Sequence, residues 1–307
     1  MSREIRSSGF ALLAVLWITA VLSVLAMSYA TSARVDVEGI RNMHRRQILD
    51  NDLLSALVLG EHEYKKFVAN MALWNKKDEI ESRTGKALNL WHPRFEPFNA
   101  TIRGQTVFIR MTDLSGKIAL SAANSALMNK ILEACGIDEP GRDEIRDVWL
   151  DWEDGDDLHR LNGAETDYYQ NTVGGYMAKN AKMENPEELL LLKGVTPKIY
   201  YGSEKHPGLI YFFSARGSST VMDVNSAHPR AFAMVKDLSD QDIERIVNLR
   251  MEKPIQNLDD LNEIIPAQTM SEFKKYFGFP PSVGIQLQAS IHENSTFDQG
   301  MVKLLTK

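Results

Sequence analysis

The stretch that decides the fold is Phe10–Tyr29, FALLAVLWITAVLSVLAMSY, which contains no charged residue. Twenty residues of α-helix rise roughly 30 Å, which is the thickness of the hydrocarbon core of a bilayer. A short polar and basic segment, MSREIRSSG, precedes this run. The pattern therefore predicts a membrane-spanning helix in this part of the chain.

Residues 10–29 fit three kinds of N-terminal segment. A cleaved secretory signal has a shorter apolar core of ~7–15 residues that ends in a small-x-small site. The sites after Ala30 and Ala33 match that pattern weakly. A signal anchor is the second interpretation, and basic residues on both sides of the span leave its orientation undecided. The third interpretation is a pilin-like segment, and it depends on the residues around Gly9.

Gly9-Phe10-Ala-Leu-Leu resembles the prepilin peptidase site of type IV pilins and pseudopilins. The resemblance implies cleavage after Gly9 and a mature, N-methylated Phe10. Major pilins usually have Glu as the fifth mature residue, where it pairs with the terminal amine of a neighbouring subunit. That residue is Ala14 here, so the chain has no buried carboxylate that needs such a partner. A missing Glu is typical of the large minor pseudopilin K of type II secretion (the GspK family).

Helical periodicity continues beyond the span. Apolar residues recur every three or four positions as far as Met71, with charges on the other face. This predicts one helix from Phe10 to Met71, its first half in lipid and its second half packed on a domain. Two helices with a break near Val37–Arg46 are the alternative.

Short strands are predicted after the helix. Residues 75–99 read as irregular, whereas Ala100–Arg103 and Thr106–Thr112 alternate apolar and polar residues, and Lys117–Leu120 follows a turn. These three segments predict a small antiparallel meander. Gly284–Ile291 and Gly300–Leu305 are predicted as closing strands.

The region between the two groups of strands is mostly helical in pattern. Asp240 is predicted to cap one of its helices, and 208–214 and 220–224 are predicted to form a pair of extended segments. We therefore predict an α+β fold with a long N-terminal transmembrane helix, a small antiparallel pilin-like sheet and a large helical insertion domain. The predicted parts are a leader at 1–9, the transmembrane pilin helix at 10–30, the first part of the pilin domain at 31–121, the α-helical insertion domain at 122–275, and closing pilin strands at 276–307.

An acidic loop is the most unusual stretch in the middle of the chain. Seven carboxylates lie between Asp151 and Asp167, where they repel one another unless a cation gathers them. Hard oxygen ligands of this kind suit Ca²⁺. Counting from Asp154, an EF-hand would need an oxygen ligand at Leu158 and a glycine at His159, so the spacing argues against a true EF-hand. An irregular calcium loop and a solvated acidic loop both remain open.

The same loop resembles the D-W-x-D-x-D and G-A-E-x-x-Y-Y motif of the GspK family, and the later segments EELLLLKGVTP and DVNSAHPRAFAMV are similar to that family as well. Its match includes Gly163, Tyr168 and Tyr169, and the spacer DLHRL-N departs from the usual proline-containing one. Because the inserted α-domain of that family binds calcium nearby, the resemblance implies Ca²⁺ as a cofactor. The candidate ligands are Asp151, Asp154, Asp156, Glu165 and Asp167.

Composition and motif spacing argue against other classes of protein. Acidic residues outnumber Lys and Arg by 41 to 35, and the formal net charge is −6, which lowers the expectation of nucleic-acid binding. The single cysteine, Cys135, excludes an intrachain disulfide and a thiolate zinc cluster. The seven histidines show no H-E-x-x-H pattern for a catalytic zinc. The sequence predicts no catalytic residues.

The resemblance implies a non-catalytic minor pseudopilin at the tip of the type II secretion pseudopilus, where it initiates assembly and contributes to export across the outer membrane. The implied partners are other minor pseudopilins in a tip complex, prepilin peptidase and inner-membrane lipid, with no nucleic acid. A single pass through the inner membrane and a periplasmic globular domain are expected. The alternative is a signal-anchored periplasmic metal-dependent enzyme or binding protein that uses the acidic loop.

Overall fold

The computed structural model describes residues 8–74, 76–85, 90–292 and 300–305. The chain divides into two compact units, Met1–Leu54 and Ser55–Lys307. Most of the predicted leader, residues 1–7, lies outside the described residues, as do 293–299 and 306–307 in the predicted closing segment.

Helix α1 is continuous from Ser8 to Ala69, so the alternative of a break near Val37–Arg46 is wrong. Its most apolar 18-residue window has a mean hydropathy of 2.5, and none of the residues in that window is buried. The hydroxyl of Thr19 donates to the Leu16 carbonyl at 3.0 Å, and that of Ser23 donates to the Thr19 carbonyl at 2.8 Å. These bonds satisfy the polar side chains inside the helix, which lowers their cost in lipid. By length and composition, α1 fits a single-pass membrane anchor.

Four strands form one antiparallel sheet in the order β1-β2-β7-β8: β1 Arg94–Ile102, β2 Gln105–Asp113, β7 Ile285–Ser290 and β8 Gly300–Leu305. The hairpin β1-β2 turns at Arg103-Gly104, where both residues have positive φ. Strand β1 starts at Arg94, so the prediction of an irregular 94–99 is wrong. A bulge between Arg94 and Phe98 breaks the alternation that would have marked the strand.

The last turns of α1 pack on this sheet. Ala56 and Leu57 are buried. A Cβ added to Gly60 would lie 3.0 Å from Ile109 Cγ2 on β2 and 3.5 Å from Leu287 Cδ2 on β7. Glycine at position 60 therefore permits the close approach of helix and sheet.

The segment between β2 and β7 is mainly helical, as predicted. Including the short helices that follow α1, the remaining α-helices are α2 Met71–Trp74, α3 Lys77–Thr84, α4 Ser125–Ala134, α5 Glu139–Glu153, α6 Thr166–Gln170, α7 Pro197–Tyr201, α8 Asp240–Glu252 and α9 Ala267–Tyr276. The 3₁₀ segments are Leu114–Gly116, Leu120–Ala122, Pro186–Leu191, Leu209–Tyr211, Pro229–Met234 and Leu258–Leu261. The short strands are β3 Ile118–Ala119, β4 Phe213–Ser214, β5 Met222–Asp223 and β6 Phe277–Gly278.

Three local predictions in this segment are wrong. Strand β3 pairs in parallel with β4, so it is not the third strand of the meander. Strand β5 pairs with β6, so 208–214 and 220–224 do not pair with each other. The N-cap of α8 is Ser239, whose hydroxyl accepts from the Asp242 amide, and Asp240 is the first helical residue.

A large core holds the helical segment together. It includes the buried rings of Trp149, Trp152, Tyr169, Phe232 and Phe273. The molecule is therefore α+β, with a long apolar N-terminal helix, a small antiparallel sheet and a helical segment between the strands of that sheet.

Candidate cation site in the acidic loop

Helix α5 carries the first carboxylates of the acidic loop. Asp138 caps its N-terminus by accepting from the Gly141 amide, and the helix ends at Glu153 with Asp154 as C-cap. Asp151, Glu153 and Asp154 therefore lie at the end of the helix where the helix dipole is negative. Carboxylates at this end are unfavourable unless a cation lies beside them.

The side chain of Glu165, the N-cap residue of α6, lies close to that of Asp154. Glu165 is 1% exposed, and neither of its carboxylate oxygens has a hydrogen-bond partner among the residues that the structure describes. Burial, together with the negative charges of Asp151 and Asp154, raises the pKa of Glu165 to about 7. A buried carboxylate without a partner is costly, so this position favours a bound cation.

Asp154, Asp156 and Glu165 form a compact oxygen cluster. One carboxylate oxygen from each lies within 4.8 Å of the others. Two ligands that are each about 2.4 Å from one Ca²⁺ ion lie at most about 4.8 Å apart, so the three oxygens fit a shared ion. Oδ1 of Asp154 is also buried without a partner among the described residues. The donor set is all carboxylate, which suits a hard cation.

The other two predicted ligands lie outside this cluster. Asp151 is 0% exposed, and its Oδ1 lies 2.5 Å from Nη1 of Arg160. The carboxylate of Asp167 is exposed and lies 2.9 Å from Nε2 of His159. The structure thus brings together three of the five candidate ligands and gives Asp151 and Asp167 other partners.

Arg160 is the residue of this site that the sequence analysis missed. Its Nη1 bridges Asp151 and Asp154 at 2.5 Å to each, and its backbone amide donates to Oδ2 of Asp151 at 3.2 Å. The signal was present, because Arg160 is the one arginine within a run of seven carboxylates. Charge pairing alone could not show which of the carboxylates it binds.

Gly163 is required beside Asp151 for steric reasons. A Cβ added to Gly163 would lie 1.7 Å from Oδ2 of Asp151. By contrast, a Cβ added to Gly155 in the same loop meets nothing within 4 Å. The two glycines of the motif therefore differ, and only Gly163 makes room for a carboxylate.

Aromatic side chains of the motif pack against one another beside the acidic loop. Tyr169 is fully buried and packs edge-on against Trp152, with ring centroids 5.2 Å apart, and it stacks on Tyr176 at 5.2 Å. Tyr168 is partly exposed, and Nζ of Lys193 lies 5.3 Å from its ring centroid. The two tyrosines of the motif therefore have different roles, one in the core and one at the surface.

The predicted processing residues lie in the first turns of α1. Gly9 and Phe10 are helical, and the Phe10 side chain is 82% exposed. Ala14 lies one turn later and is half-buried. Cleavage after Gly9 stays a prediction.

Comparison with known proteins gives consistent matches. A family model described as type II secretion system (T2SS), protein K, matches residues 109–206, which contain the whole acidic loop. The chain is similar to the type II secretion system protein K of Klebsiella pneumoniae, with 25% identity over 249 residues, 76% of this chain and 70% of that protein. A protein of Escherichia coli (strain K12) named "Putative type II secretion system protein K" is 24% identical over 62% of this chain and 59% of its own length.

Among solved structures, the GspK-GspI-GspJ complex of the enterotoxigenic Escherichia coli type 2 secretion system contains a similar chain. The TM-score is 0.48 at 13% identity, covering 85% of this chain and 94% of that chain. Both similar proteins are named as secretion system components, and the family match falls on the residues of the acidic loop. Residues 109–206 therefore match the type II secretion system protein K family, and the chain is similar over most of its length to proteins of that name.

Proposed function

We propose that this chain is a non-catalytic minor pseudopilin at the tip of a type II secretion pseudopilus, where it initiates assembly and contributes to protein export across the outer membrane. The observation that carries the proposal is Ala14, which lies in the apolar N-terminal stretch of α1. A subunit with a buried Glu at this place needs a neighbouring amine to offset its charge. A subunit with Ala14 needs no such neighbour, which suits the first subunit of a filament.

In this proposal the apolar N-terminal segment is the membrane anchor, and the rest of the mature chain, here called the head, is periplasmic. Residues 10–30 cross the inner membrane once, and prepilin peptidase removes residues 1–9. The head lies in the periplasm, with pilin parts at 31–121 and 276–307 and the insertion domain at 122–275. The support is the length and hydropathy of α1 together with strands β2 and β7 on either side of the helical segment.

The proposed partners are lipid and the other minor pseudopilins. Side chains such as Leu16, Trp17 and Leu25 are more than half exposed along α1. In the membrane they would contact lipid chains or the apolar helices of other minor pseudopilins. These helices would form a bundle below the heads of a tip complex.

Calcium is the proposed cofactor of the acidic loop. Asp154, Asp156 and Glu165 would hold it, since their oxygens lie within 4.8 Å of one another and both oxygens of Glu165 lack other partners among the described residues. The ion would supply positive charge beside the end of α5. Because it binds the folded loop, it would stabilise the head by RT ln(1 + [L]/Kd). This is a structural task and needs no catalytic residue.

The test of the tip proposal is expression of the full chain with prepilin peptidase and the other minor pseudopilins, followed by mass spectrometry and co-purification. We expect an N-terminus at methylated Phe10 and a stable complex with the other minor pseudopilins. Gly9→Val should block processing, whereas Gly39→Val, at a helix glycine with open space around it, should not. An intact Met1, a cut near Ala33 or a chain that purifies alone would overturn the proposal.

A further inference from the structure

Arg160 occupies the place of a cation in the acidic loop. Its Nη1 lies 2.5 Å from Oδ1 of Asp151 and 2.5 Å from Oδ2 of Asp154. Asp154 is also one of the three carboxylates that converge with Glu165 and Asp156. The guanidinium and the proposed Ca²⁺ ion therefore share a ligand.

The two cations are alternatives at Asp154. A guanidinium at hydrogen-bond distance from Oδ2 places a positive charge a few ångströms from an ion that the same carboxylate would bind. At that separation the two like charges repel each other, so each weakens the binding of the other. The buried Glu165, 1% exposed and without a partner among the described residues, shows that Arg160 does not complete the cluster.

Arg160 can leave Asp154 without leaving the loop. Its backbone amide donates to Asp151 independently of the side chain, and the side chain is 36% exposed. Asp151 is buried and lies outside the converging cluster, so it can keep the guanidinium while Asp154 turns to the ion. The geometry thus offers two partners to one arginine, and only one of them is a shared ligand.

We propose that Arg160 is an internal counter-ion that holds the acidic loop folded in the absence of Ca²⁺, and that Ca²⁺ binds by displacing it from Asp154. Arg160 therefore lowers the calcium affinity of the site and reduces the dependence of the head on calcium. The inference rests on the calcium part of the proposed function.

The test compares the full chain in detergent with its Arg160→Gln variant, using calorimetric titration with CaCl₂ and thermal unfolding in EDTA and in excess calcium. Arg146→Gln is the matched control, because Arg146 also bridges two carboxylates, Asp143 and Asp147, on α5. We expect Arg160→Gln to bind Ca²⁺ about tenfold more tightly or better. We also expect it to melt at a lower temperature in EDTA and to show a larger calcium-induced rise in Tm than wild type or Arg146→Gln.

The outcomes separate the inference from the proposed function. If wild type binds Ca²⁺ and Arg160→Gln binds it equally or more weakly, the inference fails and calcium binding stands. If only Arg160→Gln binds Ca²⁺, Arg160 excludes the ion from the native loop, and both displacement by Ca²⁺ and calcium binding by the native chain fail. If neither protein binds Ca²⁺, both proposals fail. Arg160→Lys, which keeps the charge, should fall between wild type and Arg160→Gln, and an affinity equal to that of Arg160→Gln would contradict a role for the charge.

Discussion

Arg250 and Arg160 each bind carboxylates in the head, but their surroundings differ. Arg250 is 0% exposed, and it donates through Nε to Glu96 at 2.9 Å and through Nη1 to the carbonyls of Val224 and Ala227 at 2.9 and 2.8 Å. Nη2 of Arg250 binds Glu96 as well. Arg160 bridges two carboxylates, while the adjacent buried Glu165 has no partner among the described residues.

The difference separates a structural network from a site that can take a ligand. The Arg250 network joins α8 to β1, and each of its three guanidinium nitrogens has a protein partner. Such a network is complete, so it adds stability to one conformation without any external ion. The acidic loop has more carboxylate than the chain's own cations offset, so an external cation has a place there.

The largest effect is expected at the complete network. Arg250→Met leaves Glu96 and two carbonyls without their partner, and the free energy of unfolding should fall by about 3–5 kcal/mol. Urea unfolding followed by tryptophan fluorescence measures this loss, and calcium should not reverse it. Arg245→Gln, an exposed arginine on the same helix, is the control and should change the free energy of unfolding by about 0.5 kcal/mol or less. A calcium-dependent loss in Arg250→Met would contradict the contrast.

The pH dependence of stability tests the surroundings of the same network. His228 packs between Phe95 and Tyr211, and burial lowers its pKa to about 3, with Lys117, Arg110, Arg250 and Arg230 acting in the same direction. Since the unfolded chain takes up this proton below about pH 6.5 and the folded chain does not, stability falls as the pH drops from about 6.5 towards 3.

His228→Asn should remove that part of the acid sensitivity, because asparagine does not titrate and its oxygen can accept from the Arg230 amide as Nδ1 of His228 does. Between pH 7 and pH 4, the loss of unfolding free energy should be smaller in the variant than in wild type by on the order of 3 kcal/mol. Parallel pH profiles for the two proteins would show that the histidine does not stay neutral in the fold.

A smaller effect is expected from the two glycines of the acidic loop. Gly163→Ala puts a methyl group against the Asp151 carboxylate, so Asp151 must move away from Arg160, at a cost of about 1–3 kcal/mol in unfolding free energy. Gly155→Ala has open space and should be nearly neutral. Thermal unfolding in EDTA measures both variants, and equal melting temperatures would contradict the close packing at Gly163.

The sequence predicted the long helix and the acidic site better than it predicted the packing around them. The uninterrupted apolar run from Phe10 and its periodic continuation account for α1. The sequence did not indicate that residues 94–99 belong to β1. A strand is recognised by a two-residue alternation, and the bulge interrupts that alternation. The close approach of Gly60 to Ile109 could not be predicted, since it joins residues that are distant in sequence.

Within the acidic loop, the sequence indicated five candidate ligands, of which Asp154, Asp156 and Glu165 converge in the structure. It could not distinguish them from Asp151 and Asp167, because the sequence does not show which carboxylate oxygens converge in the folded loop and which face only Arg160 or His159. Which carboxylates keep an open oxygen is determined by the folded loop. The pairing of Arg160 is therefore a result of the structure alone.

The most direct test of the account is calorimetric titration of the full chain with CaCl₂, beside Glu165→Gln. Glu184→Gln, an equal charge change at an exposed glutamate, is the control. We predict that wild type and Glu184→Gln bind Ca²⁺ and that Glu165→Gln loses this binding while it melts at the same or a higher temperature in EDTA, because the amide removes a buried charge without a partner. Calcium binding that is unchanged in Glu165→Gln, or absent from wild type, would contradict the claim that the acidic loop is a cation site.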